Sequence, residues 1–268
     1  MSLRVPDTLV SQRSEKYIVS IRLWSDGLSF SGYIPSERGS VFHAATELDA
    51  TQPYLHALKD IFSTHPFLTS SYRKIYVVCA NAPYTLAPEH IFAEKEKEQL
   101  MSFVFSADNY KVLHESLGEL EAELVFGINP DIYDFCVRSL NNPQFTHAVS
   151  SLLIQWRKQS LAGVSKQLSV VLHEKTMDAA CFERGALLFV NSFAIDTMED
   201  VMYCILSIWK QTGMDQEKDV LFLSAPPILF DKLKEILHTY LLRIETVPVS
   251  EMDEKLPLDI KALFQCGL

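Results

Sequence analysis

Glu183-Arg184-Gly185-Ala186-Leu187-Leu188-Phe189-Val190, followed by Ile195-Asp196 and a segment with helical periodicity, repeats an arrangement met earlier in the chain. There, Glu37-Arg38-Gly39 precedes Val41-Phe42, then Leu48-Asp49, then another helix-patterned segment. Phe42 and Phe189 stand 147 residues apart, as do Asp49 and Asp196, so the two copies align without a gap. Tyr54, Leu55, Leu58, Ile61 and Phe62 mark one apolar helix face, and Val201, Met202, Ile205, Ile208 and Trp209 mark the same face in the second copy. A duplicated chain predicts two similar halves with a ligand cleft between them.

Each half reads as three meandering strands, a helix and a buried strand. Tyr17–Leu23, Leu28–Tyr33 and Ser40–Ala45 are β-patterned, and Asp26-Gly27 between the first two reads as a tight turn of positive φ. A helix is expected over 53–62, and Lys74–Cys79 is an apolar run suited to a central strand. In the second half, strands are expected at 168–172, 178–182, 186–193, 220–223 and 244–249, and an apolar helix at 230–241. Asp196 with Glu199 has the spacing of a capping box.

Between the copies lies added material. The run Glu94-Lys-Glu-Lys-Glu98 reads as a solvated helix, 111–117 as a strand, and 124–140 as a strand, Pro130 and a helix. The predicted division is a first domain over 1–148, with an inserted subdomain at about 84–122, and a second over 149–268.

This order of elements resembles the actin-like ATPase superfamily, whose ribonuclease H-like domains occur in pairs. The insertion resembles the branch that holds the pilus-assembly protein PilM and the cell-division protein FtsA. The chain also resembles a small bacterial family of unassigned function with that fold. The resemblance implies an α/β fold of two actin-like domains, each a mixed five-stranded sheet flanked by helices. It also implies a place for a protein partner in the insertion, around 86–117.

Relatives that use ATP carry an acidic, glycine-rich hairpin in each half, where an Asp organises Mg²⁺ and backbone N–H groups hold phosphate. Here the first hairpin is Ile21-Arg-Leu-Trp-Ser-Asp-Gly27, with Arg22 at the acidic position. The second is Leu172-His-Glu-Lys-Thr-Met-Asp178, with His173 at that position and no glycine. The Gly-Gly turn that holds adenosine is replaced by Ser224-Ala-Pro-Pro227, which removes two backbone donors.

Each candidate residue has a plain reading beside the chemical one. Asp26 and Gly27 are a hairpin turn first and a remnant phosphate loop second. Glu174, Lys175 and Asp178 are turn residues first and ligand grips second. Asp49 and Asp196 are helix caps before they are a catalytic pair. Ser224 is the remaining polar group where adenosine would lie. His43 reads as a satisfied strand residue, and Cys79 as a core thiol with nothing basic beside it. No catalytic residue is assigned. Five scattered cysteines without a CxxC pair, and eight histidines without HxxxH spacing, predict neither a disulfide framework nor a metal site.

The net charge of −10 argues against nucleic acid as partner, and no apolar run is long enough to span a bilayer. With no secretory h-region near the start, a cytoplasmic setting is expected. The leading expectation is a degenerate, non-hydrolysing interaction or scaffold module without a cofactor. The alternative is a divergent ATPase or phosphotransferase that holds ATP and Mg²⁺ through Asp26 or Asp178. A third reading is a binder of some other small molecule.

Overall fold

A computed structural model of the chain describes residues 3–6, 9, 13–37, 39–105, 109–173, 175–247 and 256–267. Arg38, Glu174 and the last two positions of the strand expected at 244–249 lie outside the described residues. The chain divides into two compact units, 1–150 with 251–261, and 151–250 with 262–268.

In the first unit the strands are β1 (Ile18–Trp24), β2 (Gly27–Tyr33), β3 (Phe42–Glu47), β4 (Lys74–Cys79), β5 (Tyr84–Pro88), β6 (Lys111–Leu117), β7 (Ala122–Ile128) and β8 (Gln144–His147). Its helices are α1 (Tyr54–Thr64), α2 (Lys97–Val104) and α3 (Pro130–Ser139). Helix α4 (Ala148–Leu161) carries the chain from the first unit to the second. The second unit holds β9 (Gln167–Leu172), β10 (Thr176–Glu183), β11 (Ala186–Ala194), α5 (Met198–Gln211), β12 (Val220–Ser224), α6 (Pro227–Leu237) and β13 (Ile244–Thr246). Helix α7 (Leu258–Cys266) ends the chain, and its first turn groups with the first unit.

The two large sheets share one topology, β3-β2-β1-β4-β8 and β11-β10-β9-β12-β13. In each, the meander is antiparallel and the last two strands run parallel to the first. The duplication seen in the sequence is therefore one of topology. Period-two alternation puts Val19, Ile21, Leu23, Leu28, Phe30, Ile75 and Val77 into one core, together with Leu58 and Phe62 of α1. The equivalent core of the second unit holds Leu168, Val170, Met177, Ala179, Leu221 and Leu223, with Val201, Ile205, Ile208 and Trp209 of α5. The opposite face of the first sheet is buried yet polar, carrying Ser20, Arg22, Ser29 and Ser31.

The insertion forms its own sheet, β5-β7-β6, covered by α2. Strand β7 pairs with both β5 and β6, so the inserted sheet runs on to Ile128. Its core is small: Met101, Val112 and Val125 are buried, with Phe92, Leu100, Phe105 and Tyr110 packed around them. In the second unit β12 leads directly into α6 through Ala225-Pro226.

Three local expectations shift. The capping box of α5 is Thr197 with Asp200, one residue beyond Asp196 and Glu199, because the β-branched hydroxyl of Thr197 takes the Asp200 N–H while the Asp200 carboxylate takes the Thr197 N–H. These bonds hold the Asp200 carboxyl below its ordinary range. Asp49 does not cap α1; it binds the Thr51 N–H and hydroxyl in a local turn, and these bonds lower its pKa. The β1–β2 turn is Ser25-Asp26, closed by a Trp24–Gly27 pair, and neither Asp26 nor Gly27 takes a positive φ. Positive φ is found at the glycines of the repeated motif, Gly39 (78°) between β2 and β3 and Gly185 (84°), with Arg184 (48°), between β10 and β11.

Gly27 is required for a different reason. A Cβ there would lie 2.3 Å from the Trp24 ring, which covers the glycine across the strand pair. Gly27→Ala must displace the indole and is expected to destabilise the fold by about 1–3 kcal/mol. Urea unfolding followed by tryptophan fluorescence checks this; an unchanged midpoint would refute the packing role.

Candidate functional site

Arg22 and His173, the two hairpin residues singled out in the sequence, are both engaged by carboxylates of the chain itself. Arg22 sits in the middle of β1, cross-strand from Ser29 and beside Val78 of β4. Its guanidinium meets the Asp259 carboxylate at 2.5 Å and lies 5.5 Å from the centre of the Trp24 ring. Arg22 is 7% exposed and Asp259 is fully buried. A charge removed from water to this degree persists only when paired and hydrogen-bonded. In the second unit, His173 Nε2 lies 2.9 Å from Asp178 Oδ2, and Ser192 Oγ donates to Asp178 Oδ1 at 2.5 Å.

Asp178 is thus not at a turn but within β10, buried, with both oxygens occupied. Asp178, Val171 and Ser224 are successive partners across β10, β9 and β12, which brings Asp178 and Ser224 to one face of the second sheet. Pro226 and Pro227 follow Ser224, with Pro227 at the first position of α6, where a missing N–H costs nothing. Asp26 and Gly27 lie in the first unit; the Asp26 carbonyl accepts from Leu48 N–H, and the Gly27 carbonyl from the Tyr54 hydroxyl. His43 Nδ1 lies 2.8 Å from the Ser31 hydroxyl, a satisfied strand pair. Among the described residues no group of three or more His, Cys, Asp and Glu side chains is placed to hold a metal ion.

A cavity of about 300 Å³ opens in the first unit at the carboxyl ends of β1 and β4. The hairpin residues Leu23, Trp24 and Ser25, Tyr54 of α1 and Cys79 to Pro83 form one side. The inserted sheet and α3 supply Tyr110, Gly127, Ile128, Asn129 and Ile132. The end of parallel strands is where open α/β sheets take ligands. The walls are aromatic and aliphatic, and Ser25, Asn81 and Asn129 are the polar side chains. Asn81 sits at φ 62°, which turns the chain sharply out of β4. The Asn129 side chain is committed to capping α3, accepting from Asp131 and Ile132 N–H. Burial pushes the Cys79 thiol and the Tyr54 phenol well above their ordinary pKa, so neither supplies an anion near neutrality. The lining suits an apolar group.

A buried polar cluster joins the insertion to the main sheet. Glu115 of β6 accepts from the Thr146 hydroxyl at 2.7 Å, the His147 N–H at 2.9 Å and the Ser150 hydroxyl. His147 Nδ1 accepts from Val149 N–H and its Nε2 reaches the Ala82 carbonyl, which fixes the tautomer. Its ring packs against Tyr84 and Phe126. Burial pushes the Glu115 carboxyl up, against the pull of its three hydrogen bonds, and Glu123 adds to the rise.

Sequence reasoning missed Asp259 and Glu115. The available signal was a single carboxylate inside an apolar run, Leu256-Pro-Leu-Asp-Ile and Val112-Leu-His-Glu-Ser-Leu. Nothing local identifies the partner, which lies 237 residues away for Asp259.

The chain belongs to the family described as "Protein of unknown function (DUF3822)", whose pattern matches residues 6–244. It is similar to a Bacteroides thetaiotaomicron protein with actin-like ATPase fold and unknown function, at 29% identity and TM-score 0.84 over 95% of this chain and 97% of that one. The fold is accordingly an actin-like ATPase fold. More distant likenesses include a PilM–PilN type IV pilus biogenesis complex (12% identity, TM-score 0.46, 86% and 88% coverage). Another is the ethanolamine utilization protein EutJ from Carboxydothermus hydrogenoformans (9% identity, TM-score 0.44, 86% and 84% coverage). No curated protein matches the chain.

Two outcomes follow from the buried charges. Asp259→Ala removes the carboxylate that faces Arg22 and is expected to cost about 3–5 kcal/mol in urea unfolding, while Arg22→Met with Asp259→Leu costs much less. Equal losses in both variants would refute the pairing. For Glu115 the folded state binds the proton more tightly than the unfolded chain. Stability therefore falls as pH rises from the ordinary glutamate range through the raised folded value, and Glu115→Gln lacks this fall. A stability difference between wild type and Glu115→Gln that is flat with pH would refute the assignment.

Proposed function

We propose that the chain is a degenerate member of the actin-like fold that does not hydrolyse ATP and serves as an interaction or scaffold module. The observation that carries this reading is that Arg22 and His173, which the resemblance puts where relatives that use ATP carry acids, are each bound by a carboxylate. Mg²⁺ is held by oxygen ligands, and a guanidinium in that place repels it. Asp178, the acid closest to the second hairpin among the described residues, is spent on His173 and Ser192. Asp26 remains a turn residue, Gly27 opens β2 and Ser224 ends β12, without the glycine-rich backbone that cradles phosphate.

The partner-contact region in this reading is the insertion. Its α2 presents Phe103, 87% exposed, with Val104 beside it, and Ile91 precedes the helix in an equally open position. Large apolar side chains held in water mark contact surfaces when they gather on one element. The cavity at the root of the insertion offers a second apolar foothold. A protein partner fits the net charge of −10 better than nucleic acid does. A bacterial, cytoplasmic setting goes with this reading; among the described residues no helix is long and apolar enough to cross a membrane.

Calorimetric titration with ATP and Mg²⁺, then with ADP, tests the proposal. The expected result from folded protein is no saturable heat up to millimolar nucleotide. Saturable binding at micromolar strength, with phosphate release that falls in Asp26→Ala or Asp178→Ala, would return the chain to the nucleotide users.

A further inference from the structure

Two aromatic walls of the cavity in the first unit rest on glycines. The Trp24 ring lies over Gly27, where a Cβ would come within 2.3 Å of it, and Arg22 stands 5.5 Å from the centre of the same ring. The Tyr110 ring lies over Gly127 of β7, where a Cβ would come within 2.7 Å of it. A glycine within a strand is what lets another group approach the backbone this closely. Each ring takes the room that a side chain on the strand would fill, and so stands against its strand. The third ring, Tyr54, is held by its hydroxyl, which donates to the Gly27 carbonyl at 3.1 Å. Three rings, from β1, α1 and the segment before β6, are thus fixed around one space. Walls ordered in advance lower the entropic cost of binding.

Size and charge indicate what enters. A cavity of about 150 Å³ takes one benzene ring, so the volume of about 300 Å³ here takes two fused rings. None of the described lining residues carries a charge, and the acid Asp26 follows Ser25 of the lining in the hairpin. An anion would be stripped of water there with no cation to replace it. The Tyr54 hydroxyl and the Asn129 Oδ1 are already engaged within the chain. A peptide backbone, with an N–H and a C=O at nearly every residue, finds few partners in such a lining.

We infer that this cavity is a binding site for a free, uncharged aromatic molecule of one or two fused rings, of the size of indole, held by stacked and edge contacts with Trp24, Tyr54 and Tyr110. The site adds a small-molecule ligand to the partner contacts proposed for the insertion and does not depend on them.

The test uses the full chain with 5-fluoroindole as probe, followed by fluorine NMR, to which the tryptophans of the protein are silent. The expected result is saturable line broadening with a dissociation constant of about 0.1–1 mM, as suits a ligand of about ten non-hydrogen atoms. Trp24→Ala and Tyr110→Ala each weaken binding roughly fivefold to tenfold, and Phe103→Ser, at an exposed position of α2, leaves it unchanged. Circular dichroism confirms that each variant is folded; should either alanine variant fail that check, Trp24→Leu or Tyr110→Leu, which keeps apolar bulk without the ring, replaces it. In competition with the probe, indole-3-carboxylate is at least roughly tenfold weaker than the neutral indole-3-carboxamide. No saturable binding up to the solubility of the probe overturns the inference. So does binding that ignores the ring substitutions, or a carboxylate that competes as well as the carboxamide. N-acetyltryptophanamide competing more tightly than indole also overturns it, and assigns the cavity to the side chain of a polypeptide.

Discussion

A guanidinium buried within the central strand of a sheet is the constraint on which this structure turns. Arg22 occupies the centre of β1, the central strand of the first sheet, between β2 and β4. A cation there cannot keep its hydration, and its desolvation costs several kcal/mol unless an anion and hydrogen bonds replace the water. Asp259, from the far end of the chain, meets that need. The first turn of α7 groups with the first unit although it follows residues 151–250 of the second in sequence. A buried pair of this kind adds little net stability over well-packed hydrophobes. Its consequence is specificity: it fixes where one particular segment must lie.

The insertion depends on a second arrangement of the same type. Its own apolar core, three buried side chains around α2, is too small to fix its orientation. Glu115 reaches out of β6 to Thr146 and His147 at the end of β8 and to Ser150 in the first turn of α4. A carboxylate near a helix N-terminus is electrostatically favourable there, since backbone N–H groups carry the positive end of the dipole. His147 then ties Ala82, Tyr84 and Phe126 to the same point. The cavity beside the β1–β2 hairpin exists because these polar contacts hold the inserted sheet against the main one without filling the space between Trp24, Tyr54 and Tyr110.

The two units show how duplicated topology can hold different chemistry. The same sheet order and core stripe recur, because period-two strands and a helix with one apolar face pack in few ways. The departures fall at the ends of strands. The first unit leaves β4 through a left-handed Asn81 into an added sheet; the second leaves β12 through two prolines directly into α6. The edge strand is short and ends in a carboxylate in the first unit; in the second it is long and neutral.

The sequence by itself determined the architecture. Alternating apolar residues, the 147-residue repeat and the turn residues fixed the strands other than β5 and β8, the helices α1, α3 and α5, and the similarity of the two halves, because these depend on local periodicity. It also singled out Arg22 and His173 in the two hairpins. Tertiary structure decided what those residues do. The pairing of Arg22 with Asp259 and the enclosure of Glu115 by Thr146 and Ser150 join positions that no local pattern relates. Strand β8 was hidden because Gln144–His147 is short and only half apolar, and α7 because Leu258–Cys266 has no partner face within its own sequence. Asp178 looked like a turn residue in the sequence and became a buried strand residue, because β10 begins two positions earlier and carries it into the sheet. Burial and long-range pairing set the chemistry of each group, and both are properties of the packed chain.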